Sequence, residues 1–415
     1  MAGALRSRLK HPAALYVGVS LLVSFVGFVR AFLFMHTLGL VELGILVVAQ
    51  TIGQGVVMLQ GGLLNGGYRM FAADARPDQV QVNNLLFSFF ALLLALLLLV
   101  WAAIAGSALA LPVSAEMLLA SIVLGLATLV ANWMTNTLLG SQRTAELNRI
   151  NLMALIAAVA LLPVAYCYGL WGALLALLAQ PLVFVAVCLL RQRDLRPTAW
   201  LFDRALIRRV LGFGFIPFVA GLFVLLNYQI ERWAIGSMLG AADLGRFYLV
   251  FLYASLFALV PGAVLNILFP QAIRCYQAGD MSAFRAILRK HVLLLIAYLV
   301  TVVLLTLLAL RPMVALVFPE HSTNVDYVLL FLPGLVALVL CDPLTLLFNA
   351  AVRLRIMFWA GLASVALFCG MILAALSYGQ FGLGAMALIK SAVNVAVLLM
   401  YAAYVWLHRR MLAPG

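Results

Sequence analysis

Five ionisable side chains, Arg30, Glu231, Arg232, Asp342 and Lys390, stand inside long apolar runs of this chain. A charge held in hydrocarbon is costly, so such groups turn towards a partner or a polar cavity and mark routes for substrates and ions. The chemistry they offer is recognition and ion exchange. Arg30 lies about 9 Å inside the end of its run, at about 1.5 Å per residue. Its guanidinium either snorkels to the surface or presents planar paired donors to a diphosphate. Lys390, about 10 Å into the last run, poses the same choice. Glu231 and Arg232 are neighbours in NYQIER and point about 100° apart on a helix, so at most one of them faces a given point. Glu231 is either half of a structural ion pair between the two halves of the chain or a carboxylate that exchanges a coupling ion. Asp342, before Pro343, either helps satisfy backbone groups freed by the proline or plays the same coupling part. Arg30, Arg232 and Lys390 are therefore the candidate substrate-binding cations, and Glu231 and Asp342 the candidate ion-coupling groups. Neutral polar residues, Gln50, Gln54, Asn132, Gln180 and Asn227, would line the same cavity. Gln50 and Gln54 are one turn apart and suit helix–helix hydrogen bonding equally well.

The elements that must position these groups are membrane spans. The chain has 415 residues, is 67% hydrophobic and 9% charged, and has a mean hydropathy of +1.16, values outside the range of soluble domains. The net charge of +13 is spread over short breaks between apolar runs, where it meets anionic lipid headgroups and not nucleic acid. Cys167, Cys188, Cys275, Cys341 and Cys369 are isolated, which argues against disulfides and structural zinc. There is no G-x-x-x-x-G-K-[ST] loop, no His-rich cluster and no triad signature, so no cofactor, metal, nucleotide or enzymatic activity is expected. The first apolar run is too long for a typical signal peptide and reads as a retained span.

Runs of about 20 apolar residues fall at 13–35, 43–64, 82–103, 117–139, 150–168 and 171–190, then at 211–238, 247–269, 292–310, 327–348, 356–376 and 383–406. The fold class expected is all-α and polytopic, with twelve spans. Of the 26 Lys and Arg residues, only Arg246 and Arg311 fall in the outside breaks when both termini are placed in the cytoplasm. The outside breaks are short, the longest being 311–326, and leave no room for an extramembrane catalytic domain.

The phrase LGLVELG at 38–44 returns as LGAADLG at 239–245, with Gly39 and Gly240 201 positions apart. Gly61, Leu64 and Asn65 meet Gly262, Leu265 and Asn266 at the same offset. YGLWG at 168–172 meets YGQFG at 378–382 at an offset of 210, as Arg143 meets Arg353. The chain is thus a doubled six-helix unit: a first lobe at 1–190, a basic cytoplasmic linker at 191–210 and a second lobe at 211–415. An even number of spans per unit makes the copies parallel repeats. The repeated phrases are then equivalent outside turns, each with a glycine to end a helix and an acid at the start of the next.

A charge about nine residues before Leu-Gly, then x-x-acid-Leu-Gly and a second helix, all repeated after a basic central loop, resembles the multidrug/oligosaccharidyl-lipid/polysaccharide (MOP) exporter superfamily. Within it the chain is most similar to Wzx-type flippases of lipid-linked oligosaccharides. The lipid II flippases of that superfamily generally have two further helices, and the multidrug exporters often carry a cation-binding carboxylate in the first helix, where this chain has Arg30. The resemblance implies a V-shaped pair of lobes around a cavity that opens alternately to either side. It also implies a bacterial inner-membrane protein carrying an undecaprenyl-diphosphate-linked oligosaccharide such as an O-antigen repeat unit. Membrane lipids and other polysaccharide-assembly membrane proteins would be its partners. The alternatives are a multidrug exporter of the same architecture and a membrane-embedded glycan polymerase or ligase, the latter disfavoured by the short outside breaks.

Overall fold

A computed structural model describes residues 12–73, 76–107, 113–351 and 353–408. The basic residues Arg6, Arg8, Lys10, Arg409 and Arg410, which bear on the orientation, lie outside the described residues. Those described form helices and turns, with no strand among them. In chain order the helices are α1 Pro12–Thr37, α2 Leu40–Met58, α3 Leu63–Ala73, α4 Arg76–Ala105, α5 Ala115–Gly140, α6 Thr144–Ala160, α7 Leu162–Arg191 and α8 Arg204–Met238. They continue with α9 Ala241–Arg246, α10 Tyr248–Gln277, α11 Met281–Val317, α12 Val325–Leu340, α13 Asp342–Ala350, α14 Leu354–Ser377 and α15 Leu383–Leu407.

Among the described residues ten helical stretches are long and apolar enough to cross a membrane, and an eleventh is the pair Arg204–Val219 and Gly221–Met238 taken together. With α6, which has 17 residues, they account for the twelve expected runs. The boundaries differ in several places: the run expected at 150–168 breaks at Leu161, between α6 and α7, the run at 43–64 stops as a helix at Met58, and the run at 327–348 breaks at Cys341. The helix expected at 292–310 runs from Met281 to Val317, so Arg311 and Pro312 continue it instead of opening the loop. The helix expected from 211 starts at Arg204, inside the basic segment.

The paired phrases agree in local geometry at some positions and differ at others. Gly169 (φ 55°) and Gly379 (φ 66°), equivalent across the two YG phrases, both take the left-handed conformation that a side chain resists. Gly169 breaks α7 into two helical pieces, and Gly379 follows the end of α14. Gly39 and Gly240 cap α2 and α9, but the acids that follow behave differently. Glu42 accepts from the Gly39 N–H at 3.2 Å, whereas Asp243 pairs with Arg246 at 2.7 Å. The shared G-x-x-L-N diverges further. Gly61 (φ 57°) sits in the break between α2 and α3, while Gly262 lies within a continuous α10.

Contacts divide the chain into two compact units, Met1–Leu222 and Phe223–Gly415, so the boundary falls within α8. In lipid, helices associate through close packing and not through expulsion of water, and small residues permit it. In the first unit a Cβ on Gly125 would lie within 3.0 Å of three atoms of Gly53 and Val56, which brings α2 against α5. Its core gathers Trp133, Leu129, Leu85, Leu86 and Val210, all nearly inaccessible.

The segment after α7 belongs to this unit and is tied down as a strap. Leu195 is buried in the core, and its carbonyl accepts from Asn83 Nδ2 at 2.9 Å. Asn84 accepts from the Thr198 N–H at 2.9 Å and donates to its hydroxyl at 3.0 Å. Ser88 accepts from the Leu201 N–H at 2.9 Å. Trp133 Nε1 donates to Asn83 at 3.0 Å, locking the amide that holds Leu195. Arg143, at the turn between α5 and α6, adds an ion pair to Asp194 and a hydrogen bond to Gln192.

Candidate functional site

In the second unit the polar residues converge on the first half-turns of α8 beyond the unit boundary. Asn227 and Glu231 are one helical turn apart, so they share a face. Lys390, from α15, meets that face: its ammonium lies 3.5 Å from the Glu231 carboxylate and donates to the Asn227 carbonyl oxygen. Both charged residues are withdrawn from the surface, with 3% and 5% of Lys390 and Glu231 exposed. Two aromatic rings complete the cage, Phe368 at 4.9 Å and Tyr228 at 5.3 Å from the ammonium to the ring centroid. Asn227 also donates through its amide to the Ser364 hydroxyl at 2.5 Å, which ties α14 to the cluster. The ammonium is thus compensated by a carboxylate, a carbonyl and two π faces within one unit.

Arg232, one residue on, points elsewhere, as the 100° step requires. Its guanidinium carbon stands 4.8 Å from the centre of the Phe251 ring on α10, and its Nε is buried without a hydrogen-bond partner among the described residues. Asp342 begins α13 just after the bend at Cys341, and the Thr345 hydroxyl donates to its backbone carbonyl at 2.8 Å. The Gln229 Oε1 and Asn227 Oδ1 atoms are buried and unbonded among the described residues. Unsatisfied buried acceptors in a membrane interior are rare and mark places where a ligand, ion or water is needed.

The first unit carries the equivalent constellation with different charges. Arg30 on α1 donates to the Gln180 side-chain oxygen at 3.3 Å and to the Ala176 carbonyl at 3.5 Å, both on α7. Arg30 and Glu231 are equivalent at the 201 offset, and Gln180 and Lys390 at the 210 offset. The same helix pair, first against sixth, is therefore bridged by polar side chains in both repeats. Gln50 and Gln54 are half-buried on α2, and Asn132 is exposed on α5. The structure brings together Arg30 with Gln180, and Lys390 with Glu231 and Asn227. The carboxylate expected to pair between the halves of the chain finds its cation inside its own half. The aromatic cage of Phe368 and Tyr228 had no sequence signal, because both rings sit in runs where aromatics are ordinary.

No protein-family profile and no curated protein sequence matches the chain. Solved structures do. The chain superposes on an inward-facing multidrug resistance MATE family transporter of the MOP superfamily with a TM-score of 0.71 at 14% identity, covering 96% of this chain and 98% of that one. It superposes on the lipid II flippase MurJ, in an inward closed conformation, with a TM-score of 0.73 at 12% identity, covering 95% and 87%. A MOP superfamily transporter from Pyrococcus furiosus gives 0.54 at 14% identity, covering 98% and 95%. At such identities the likeness is one of fold: an all-helical, multi-pass architecture shared with MOP superfamily transporters and flippases.

Proposed function

We propose that the chain is a Wzx-type flippase that moves a polyprenyl-diphosphate-linked oligosaccharide, such as an O-antigen repeat unit, across a bacterial inner membrane by alternating access. The observation that carries this reading is Arg30, a guanidinium in the first span oriented by a neutral amide and a carbonyl of the sixth. A guanidinium offers a planar fork of donors and suits a diphosphate better than it suits a cationic drug. Arg232, in the second unit, is a further candidate substrate-binding cation. Glu231 and Asp342 are the candidate coupling carboxylates, and exchange of a cation at Glu231 would compete with Lys390. Transport and not catalysis is the activity proposed, with both termini in the cytoplasm.

The test is flux of a lipid-diphosphate substrate in vesicles that hold equal amounts of each variant. Arg30→Ala nearly abolishes flux, and Arg30→Lys, which keeps charge but loses the fork, falls between. Equal flux in all three would remove the diphosphate reading. Reporter fusions check the orientation independently: after Arg193 they read cytoplasm, and after Ser107 and His321 they read periplasm.

The multidrug-exporter reading is favoured by the likeness to the MATE family transporter. Deletion of the gene separates the two. Lipid-linked oligosaccharide trapped on the cytoplasmic leaflet supports the flippase, and drug sensitivity with normal glycan supports the exporter.

A further inference from the structure

Among the described residues the strap of the first unit has no counterpart on the second, and the surface it would cover has changed character. At the 201 offset Asn84 and Ser88, the strap's anchors on α4, correspond to Arg285 and Arg289 on α11, and the neighbouring Phe89 corresponds to Lys290. Asn84 and Ser88 are buried beneath the strap. Arg285, Arg289 and Lys290 are exposed, and with Ala286, Leu293 and Leu294 they line a shallow groove. Arg289 and Lys290 have no hydrogen bond or ion pair among the described residues, and the nearest acid along the chain, Asp280, is engaged in capping α11. The groove is half basic and half apolar. Leu293 and Leu294 are 56% and 45% exposed and begin an outward apolar face that continues through Ile296, Val300 and Leu304.

The depth of the groove follows from the length of its helix. With 37 residues α11 is about 55 Å long, against a hydrocarbon core of about 30 Å. Its first turns must therefore lie at headgroup level, with the arginines there and the leucines where acyl chains begin.

We propose that this groove is a binding site for one anionic phospholipid of the surrounding leaflet, its phosphate held by Arg285, Arg289 and Lys290 and its chains lying on Leu293 and Leu294. The lipid does for the second unit what the strap does for the first: it covers the outer face of the third helix of the repeat. The site is independent of the transported substrate.

The experiment uses the purified full chain in neutral detergent, titrated with phosphatidylglycerol, with phosphatidylcholine of the same chains, or with inorganic phosphate. Thermal unfolding and native mass spectrometry are the readouts. Phosphatidylglycerol is expected to raise Tm and to be retained as a bound lipid, and phosphatidylcholine and inorganic phosphate to do neither. The combined Arg285→Gln, Arg289→Gln, Lys290→Gln variant should need about ten-fold or more phosphatidylglycerol for the same rise. Arg204→Gln with Arg208→Gln, which removes exposed positive charge elsewhere, should leave the titration unchanged. Equal response of the combined variant and the wild type overturns the site, as does equal retention of the two lipids by the wild type. Displacement of the bound lipid by inorganic phosphate overturns it too, because the apolar half would then contribute nothing. Should the combined variant fail to fold, the lipid comparison on the wild type still decides.

Discussion

The two repeats solve one packing problem with opposite electrostatics. Between first and sixth helix, the first unit places a guanidinium against a neutral amide, Arg30 on Gln180, and the second places a carboxylate against an ammonium, Glu231 on Lys390. Over the third helix the first unit lays a hydrogen-bonded strap, and the second leaves a basic groove. The positions equivalent by offset carry polar atoms in both units but not the same charges. A buried pair whose charges cancel is structural cement, and removing one partner leaves the other as an uncompensated buried charge.

The largest expected effect breaks the cancelled pair. Lys390→Ala leaves Glu231 as an uncompensated buried carboxylate and should cost about 3–5 kcal/mol, read as a collapse of Tm or of membrane yield. Adding Glu231→Gln to that variant should restore a large part of the loss. By contrast, Gln180→Ala removes one hydrogen bond of Arg30 and should cost about 1–2 kcal/mol. Similar losses for Lys390→Ala and Gln180→Ala would erase the distinction between the units.

Next comes the strap. Asn84→Ala removes both bonds to Thr198 and should cost about 1–3 kcal/mol, with faster hydrogen exchange at 196–202. Arg285→Ala, its counterpart, should leave Tm unchanged in neutral detergent. A strap that exchanges no faster in Asn84→Ala would show that Asn83 and Ser88 hold it alone.

The glycines of G-x-x-L-N give a smaller difference of opposite sign. Gly61→Ala forces a side chain into the left-handed region and should cost about 1 kcal/mol. Gly262→Ala meets open space within a continuous helix and should gain up to about 1 kcal/mol. Equal changes in Tm would mean that the two motifs share a backbone after all.

The smallest effect is pH-dependent. The Ala283 N–H and the Ser282 hydroxyl hold the Asp280 carboxyl below the usual carboxylate range as it caps α11. A depressed carboxylate contributes stability that is present above its unfolded pKa and lost as pH falls through the folded one. Asp280→Asn should therefore lie slightly below wild type near neutral pH and converge with it under strongly acid conditions. A gap in Tm that persists there would assign the cap to geometry alone.

Much of this was legible in the sequence. Apolar runs fixed twelve spans because a membrane admits few other designs, and the paired YG phrases marked two glycines that do take positive φ. The repeat offsets also paired Arg30 with Glu231 and Gln180 with Lys390 as equivalent positions. That hint would have predicted the contact in one unit from the contact in the other. What stayed hidden depends on contacts far apart in sequence. Nothing local distinguishes Asn84 as a strap anchor, because its partner Thr198 is 114 residues away. The two G-x-x-L-N phrases look alike, yet only the first breaks its helix, where close approach of another backbone makes the break worth keeping.

That approach bears on how the protein is made. Gly62 and Gly66 abut Val210 and Gly214 so closely that a Cβ on Gly66 would collide with the Val210 carbonyl, and one on Gly214 with the Gly62 carbonyl. The first unit is therefore unfinished when its sixth helix leaves the ribosome. It waits, with a groove open along α3, until the strap and the first turns of α8 have been synthesised and have closed over it. A gene cut at the basic segment would yield two six-span halves of matching length, of which the first lacks its own last piece.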